Sequence, residues 1–335
     1  MRVDFHTHII PGEIPDFTDK FGSDKWPVLE KTCSCGANIM IEGNVFREVT
    51  DQVWSPEKRI QDMDAEGVDI QVLSPIPVTF SYWAKVEEAE EMSKIQNDFI
   101  ANTVKQYPDR FVGLGTVPLQ NVEVSIKEMD RCIHVLGLRG IEIGTNINGK
   151  NLDEPEFTTF FEMAEKWGVP IFIHPWETLG RDRLPRHNFM YTVGMPSETA
   201  VAAASLINSG IMERFPRLKV CFAHGGGSFP YILPRLDQGW NAWPDLRLTS
   251  KPPSHYAKKF YFDSLNYDPL NTRYLIDRFG HEKIVMGSDY PFLLREVPPG
   301  KVIDETIKLT DEQRTAILGK NALNFLNVDI KEEIK

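Results

Sequence analysis

Cysteine is scarce in this chain: there are four in 335 residues (Cys33, Cys35, Cys132 and Cys221), too few and too scattered to staple a domain of this length. That excludes a disulfide-built secreted scaffold and fits a reducing compartment, so the cytoplasm is the expected location. Long apolar runs are missing as well. None approaches the ~18 residues a membrane span requires, and the amino-terminal Met1-Arg2-Val3-Asp4-Phe5-His6 has no signal-like apolar stretch. Neither secretion nor membrane insertion is expected. Positive charge is also short: Lys and Arg total 37 against 48 Asp and Glu, a net charge of −11. Without a basic stripe to neutralise phosphates, a nucleic-acid partner is excluded. A small anionic substrate stays compatible, provided that arginines are placed locally to meet it. Internal repeats, low-complexity tracts and linkers are absent too. What remains, 41% hydrophobic and 25% charged residues, is the composition of an ordinary globular protein with a full core.

Short runs rich in Val, Ile and Phe recur along the chain, each followed by a helical pattern. The strand runs are 3–9, 68–74, 111–117, 140–145, 169–174, 219–224, 260–265 and 284–289. The helical patterns are 56–66, 87–106, 122–136, 155–167, 197–209, 231–241 and 269–279. Eight buried strands alternating with helices predict an α/β fold, a closed (β/α)8 barrel of the TIM type in one domain over 1–335. A doubly wound open sheet is the alternative if one run, 260–265 above all, is loop. Both folds put the active site at the carboxyl ends of the strands. Residues 11–55 interrupt the alternation with far more than the usual 2–6 residues of a βα loop. Within them, 37–49 reads as a β-hairpin with a Gly43-Asn44 turn, an insertion after the first strand that caps the barrel mouth. The stretch 311–327 reads as helices closing the barrel.

His6-Thr7-His8 ends the first strand, and a period of two puts both imidazoles on one face, pointing into the barrel. Alone the pair is a weak motif. However, His174 ends the fifth strand, His224 the sixth and Asp289 the eighth, so a barrel gathers four imidazoles and a carboxylate around one axis. Imidazole and carboxylate without thiolate suit Zn²⁺, Mn²⁺ or another first-row divalent ion, and a position left for water makes such a site catalytic. Water on such an ion titrates near pH 7 and is a source of hydroxide. His224 is the candidate proton carrier, because Gly225-Gly226-Gly227-Ser228 after it lets backbone and substrate approach. The alternative is that His224 is a fourth imidazole ligand.

The chain resembles the metal-dependent amidohydrolase superfamily, in its branch of nonoxidative decarboxylases, and there the 2-amino-3-carboxymuconate 6-semialdehyde decarboxylase family. The resemblance covers nearly the whole chain. It is carried by Asp4-Phe5-His6-Thr7-His8, Val45-Phe46-Arg47, Trp54-Ser55-Pro56, Phe80-Ser81-Tyr82-Trp83-Ala84-Lys85, Arg110-Phe111-Val112-Gly113-Leu114-Gly115, His174-Pro175-Trp176, Gly194-Met195-Pro196-Ser197-Glu198-Thr199, Cys221-Phe222-Ala223-His224-Gly225-Gly226-Gly227 and Gly287-Ser288-Asp289-Tyr290-Pro291-Phe292. It implies that His6, His8, His174 and Asp289 hold a Zn²⁺ with a bound water. It also implies that His224 is the catalytic acid/base, working with Asp289. Arg47, on the hairpin, and Arg235, eleven residues after His224, match the family's two carboxylate-binding arginines; the second reaches the active site of the neighbouring subunit, which implies a homodimer. The implied activity is an oxygen-independent zinc carboxy-lyase of the kynurenine branch of tryptophan degradation. Its route hydrates a C=C bond next to the carboxylate, so that CO₂ leaves an sp³ carbon.

One segment departs from the family. Where it carries a Trp-Leu-Pro-Trp-like pocket wall, this chain has His187-Asn188-Phe189-Met190-Tyr191, so a related muconate or a hydroxybenzoate-type carboxylated phenol is an alternative substrate. Two further readings stay open: a hydrolase of a cyclic ester or amide within the superfamily, and a noncatalytic binder of acidic metabolites. Trp176, Phe292 and Trp83 are candidate pocket aromatics. His187 reads as a solvated loop residue, Cys33-Ser34-Cys35 as two free thiols in a loop, and the acids at 87–91 as a solvated helix start.

Overall fold

The structure is a computed structural model and describes residues 1–329. Its barrel strands are, in chain order, Val3–Ile9, Ile70–Pro75, Phe111–Gly113 continued after Leu114 by Gly115–Thr116, Ile141–Gly144, Ile171–His174, Val220–Phe222, Tyr261–Asp263 and Ile284–Val285. Each pairs in parallel with its neighbour in sequence. Backbone bonds then join the last segment to the first: Phe5 N–H donates to the Met286 carbonyl, Asp289 N–H to His6 and His8 N–H to Tyr290, each at 2.8 Å. Helices follow the strands as the periodicity predicts, and the eight-stranded α/β barrel is the architecture found.

Local chemistry sets the helix limits. Pro56–Glu66 starts at Ser55, whose hydroxyl accepts the Lys58 N–H at 3.2 Å, has Pro56 where no N–H is needed, and stops at Gly67 with φ of 72°. The barrel interior is filled from the amino-terminal end by Val3, Phe5, Val72, Val112, Phe172 and Val285, all buried, and plugged by Leu323 and Phe325 of the last helix, Asn321–Phe325, and by Leu326 at its end. Phe5 meets Phe172 edge-on at 5.0 Å and Phe325 at 5.5 Å. Truncating Phe172 would empty this plug at a cost of about 3–5 kcal/mol. Pairing slips between Asp4 and Thr7, and this bulge lets Phe5 and His6, adjacent in sequence, both touch Phe172 inside the barrel.

The insertion is larger than the expected hairpin. It holds a short helix, Phe17–Phe21, and three antiparallel strands, Val28–Cys33, Gly36–Ile41 and Asn44–Thr50. The first strand escapes a pattern search because most of its residues face solvent, leaving little hydrophobic alternation. The turn is also one residue earlier than expected. Ile41 pairs with Asn44, and Glu42 and Gly43, with φ of 51° and 71°, make the two-residue turn. The sheet lies over the carboxyl end of the barrel, where Ile39, Ile41, Phe46 and Val49 pack with Ile10, Ile76, Val78, Trp176 and Phe292.

Candidate active site

His6 and His8 lie on the first strand and His174 on the fifth, as expected. His224 and Asp289 lie on turns beyond the sixth and eighth strands rather than on them, because both have left-handed backbones, φ of 57° and 65°. The glycines beside them are required. A Cβ on Gly227 would sit 2.1 Å from the Pro196 carbonyl oxygen, and one on Gly287 2.7 Å from His6 Cβ.

The donor atoms converge. His6 Nε2 is 3.0 Å from His8 Nε2, and Asp289 Oδ1 lies 3.6 Å from the first and 3.3 Å from the second. With His174 all four ligand atoms fall within 4.8 Å of one another, and all four residues are buried. The His224 ring lies 5.2 Å from His6 and 5.0 Å from His174, centroid to centroid.

Oxygen partners decide the tautomers. Nδ1 of His6 donates to Asp263 Oδ2 at 2.6 Å, Nδ1 of His8 to the Pro75 carbonyl at 2.8 Å, and Nδ1 of His174 to the Pro175 carbonyl at 3.0 Å. Each proton on Nδ1 leaves a lone pair on Nε2, aimed at the common centre. His174 Nε2 is buried and has no partner among the described residues. Lone pairs facing one another at 3.0 Å repel unless a cation or a shared proton lies between them. Donors about 2.0–2.1 Å from one ion at tetrahedral angles lie about 3.3 Å apart, close to the 3.0, 3.3 and 3.6 Å among His6, His8 and Asp289. The residues present therefore fit a first-row divalent ion with three nitrogen donors and one oxygen.

The electrostatics agree. Burial pushes His174 well below the usual imidazole value, so it is neutral and able to ligate. Burial would raise the Asp289 carboxyl, but the three imidazoles packed around it, His8 foremost, outweigh it and bring it down to about 2. His224 falls to about 4, through burial first and then the closeness of His6, and its Nδ1 is buried without a partner among the described residues. It is a neutral base at pH 7.

Three supporting residues were missed in the sequence. Asp263, at the end of the seventh strand, accepts His6 Nδ1–H and also the backbone N–H groups of His224, Gly225 and Leu265 at 2.9, 2.7 and 3.1 Å. An acid closing an otherwise apolar run, Phe260-Tyr261-Phe262, was the available signal. Arg59 is fully buried; it donates to the His8 carbonyl at 2.7 Å, Gln52 O at 3.1 Å, Thr7 Oγ1 at 2.9 Å and Gln71 Oε1 at 3.0 Å, and lies 4.7 Å from the Tyr290 ring centre. Its helical position gave no sign of this. Glu142 is buried 3.9 Å from His8 Nδ1, its oxygens have no partner among the described residues, and burial raises it well above the usual range, so it is a neutral acid.

The sheet brings Arg47 over this centre. Its guanidinium carbon lies 4.1 Å from the Phe292 ring centre and 5.5 Å from Tyr191, and Phe292 is itself 5.5 Å from the His8 ring. Trp176 packs on Phe46 at 6.0 Å, and its backbone is tied down by Asn146, whose Nδ2 donates to Trp176 O at 3.2 Å, Glu177 O at 2.9 Å and Glu198 Oε1 at 3.0 Å. Trp83 is not placed at the pocket: it is exposed and leans on buried Trp26 at 4.8 Å, with the ring planes tilted by 56°. His187 is exposed, as expected of a loop residue. Arg235 is exposed on the helix Phe229–Ala242 and its side chain makes no hydrogen bond or ion pair with any described residue; the single chain does not bring it to the cluster.

Comparison with known proteins matches residues 3–328 to the family model described as Amidohydrolase. The chain is 46% identical over 331 residues to the 2-amino-3-carboxymuconate-6-semialdehyde decarboxylase of Dictyostelium discoideum, covering 98% of this chain and 92% of that one. It is 34% identical to the enzyme of the same name from Caenorhabditis elegans, covering 98% and 94%. Among solved structures, a dihydroxybenzoic acid decarboxylase from Polaromonas, with bound manganese and the inhibitor 2-nitroresorcinol, superposes with a TM-score of 0.80 at 22% identity, covering 99% of this chain and 98% of that one. At that identity the likeness bears on the fold.

Proposed function

The chain belongs to the amidohydrolase family, and from that premise we propose that it is a metal-dependent, nonoxidative decarboxylase acting on 2-amino-3-carboxymuconate 6-semialdehyde or a close unsaturated di-acid. The observation that carries this reading is the convergence of His6, His8, His174 and Asp289, with His224 beside them, beneath a sheet that presents Arg47. We read the chain as one barrel domain, with residues 11–55 as its cap, working in the cytoplasm in tryptophan degradation. No helix among the described residues is long and apolar enough to cross a membrane.

His6, His8, His174 and Asp289 would hold the ion. We assign Zn²⁺ on this donor set, with Mn²⁺ or another first-row divalent ion as the alternative. Such an ion supplies Lewis acidity and brings the pKa of water near 7. The chain's own groups do the rest. His224, neutral at pH 7, takes the proton of the water that adds to the double bond beside the departing carboxylate. It then returns that proton to the carboxylate-bearing carbon, which becomes sp³; as CO₂ leaves, the electron pair of the broken C–C bond re-forms the C=C bond and expels the added hydroxyl from the neighbouring carbon as hydroxide, so no vinyl carbanion arises. Arg47 pairs with a substrate carboxylate, as a planar guanidinium does bidentately, while Phe292 and Trp176 wall the space.

Arg235 is assigned to the second carboxylate, across a homodimer interface. Tyr231, one helical turn before it on the same face, is 83% exposed, and Trp243 at the helix end is 61% exposed, an apolar surface that a second copy would cover. Mixing Arg235→Ala with His224→Ala protein should restore part of the activity, because one composite site is then intact. No recovery after verified subunit exchange would contradict the assignment.

A second reading, decarboxylation of a hydroxybenzoate-type acid, is favoured by Tyr191, which stands beside Arg47 where the family has a tryptophan-rich wall. A substrate panel tests both. The first reading expects kcat/KM for the muconate semialdehyde to exceed that for 2,6-dihydroxybenzoate by orders of magnitude; the reverse order establishes the second. Hydrolysis of a cyclic ester with no CO₂ would overturn both.

A further inference from the structure

Cys33 and Cys35 take no part in the site described above. Cys33 ends the strand Val28–Cys33, Cys35 lies in the turn after it, both are exposed, and their Sγ atoms are 3.1 Å apart. The turn is shaped to leave that space. Pairing slips between Lys31 and Cys33, and Gly36 follows, where a Cβ would come within 3.2 Å of Cys33 Sγ and 3.0 Å of Thr32 Oγ1. The Cys35 carbonyl accepts the Asp51 N–H at 3.0 Å, which ties the turn to the end of the strand carrying Arg47. Cys132 and Cys221, by contrast, are buried, and burial raises both thiols well above their usual value. The hydrogen bond from Cys35 lowers the Cys33 thiol, which makes Cys33 the attacking sulfur of the pair.

We propose that Cys33 and Cys35 form a dithiol modification site that a peroxide converts into a disulfide within the turn. The Cys33 thiolate attacks one peroxide oxygen, the O–O bond breaks, and the departing oxygen leaves as water after taking up a proton. Cys33 is then a sulfenic acid. The Cys35 thiolate displaces its oxygen: the S–S bond forms, the S–O bond breaks, and a second water leaves. Two thiols and one hydrogen peroxide thus give one disulfide and two waters. A sulfur already 3.1 Å away needs to close by about 1 Å to reach the S–S bond length, so the second step outruns further oxidation of Cys33. A free dithiol of this spacing also chelates a trivalent arsenical, with two S–As bonds formed and one water lost.

The test treats the reduced, metal-loaded protein with hydrogen peroxide and follows it by intact and peptide mass spectrometry. The expected result is loss of two hydrogens, localised to a Cys33–Cys35 bridge and reversed by reductant, with Cys132 and Cys221 still alkylated after denaturation. Cys35→Ser should stop at a sulfenic acid on Cys33 that a dione probe traps. Cys33→Ser should slow the reaction at Cys35 by about ten-fold or more. Phenylarsine oxide should bind once per chain, prevent the bridge, and fail on either serine variant. Two free thiols after peroxide, oxygen atoms on both cysteines without a bridge, or a bridge between two chains would each overturn the proposal.

Discussion

Asp263 accepts the Nδ1 proton of His6 at 2.6 Å with the same oxygen that accepts the backbone N–H of His224 at 2.9 Å. One carboxylate therefore orients a candidate metal ligand and the turn that carries the candidate acid/base. Asp263→Asn should present an amide where His6 needs an acceptor, favouring the tautomer with its proton on Nε2. The expected loss of metal affinity is about 10–100-fold, measured by competition with a chromogenic chelator. Unchanged affinity would show that Asp263 does not set the tautomer.

His224→Ala should keep its metal and lose about a hundred- to ten-thousand-fold in kcat. Elemental analysis beside turnover separates the roles: if metal content falls in step with activity, His224 is a ligand.

The pH profile carries a sign. His224 works as a neutral base and its protonation ends activity; since it is held down to about 4, the acid limb of kcat/KM should lie well below 6.5. A cation bound nearby lowers it further, so the direction stands in the loaded enzyme. An acid limb at the ordinary histidine value would point to another base.

Arg59→Met should destabilise the fold by about 3–5 kcal/mol, because it strands the acceptors on His8, Gln52 and Thr7 that one buried guanidinium satisfies. Urea midpoints measure this. Arg59→Lys should recover stability only in part, since an ammonium cannot reach the four acceptors from one position.

The sequence made the barrel legible because its strands are buried on both faces and read as continuous apolar runs, with His6, His8 and His174 at their ends. Asp289 and His224 were found by the same logic although they stand past their strands: the run of apolar residues does not reveal where the backbone turns left-handed, and Gly287 and Gly225 to Gly227 mark it only once the fold is known. The solvent-facing strand Val28–Cys33 carried too little alternation to be seen. Asp263 was hidden because a single acid at the end of an apolar run has the same appearance whether it faces solvent or a histidine. Arg59 lies in an ordinary amphipathic helix, and its burial depends on Gln71 and Thr7, which the fold brings from other strands.

The most direct test of the central claim is CO₂ release from 2-amino-3-carboxymuconate 6-semialdehyde under anaerobic conditions, with metal-loaded and chelator-stripped protein side by side. Stoichiometric CO₂ is expected from the loaded enzyme without oxygen, none from the stripped enzyme, and recovery on adding the ion back. Substrate loss that needs oxygen, or equal release from the stripped protein, would contradict it.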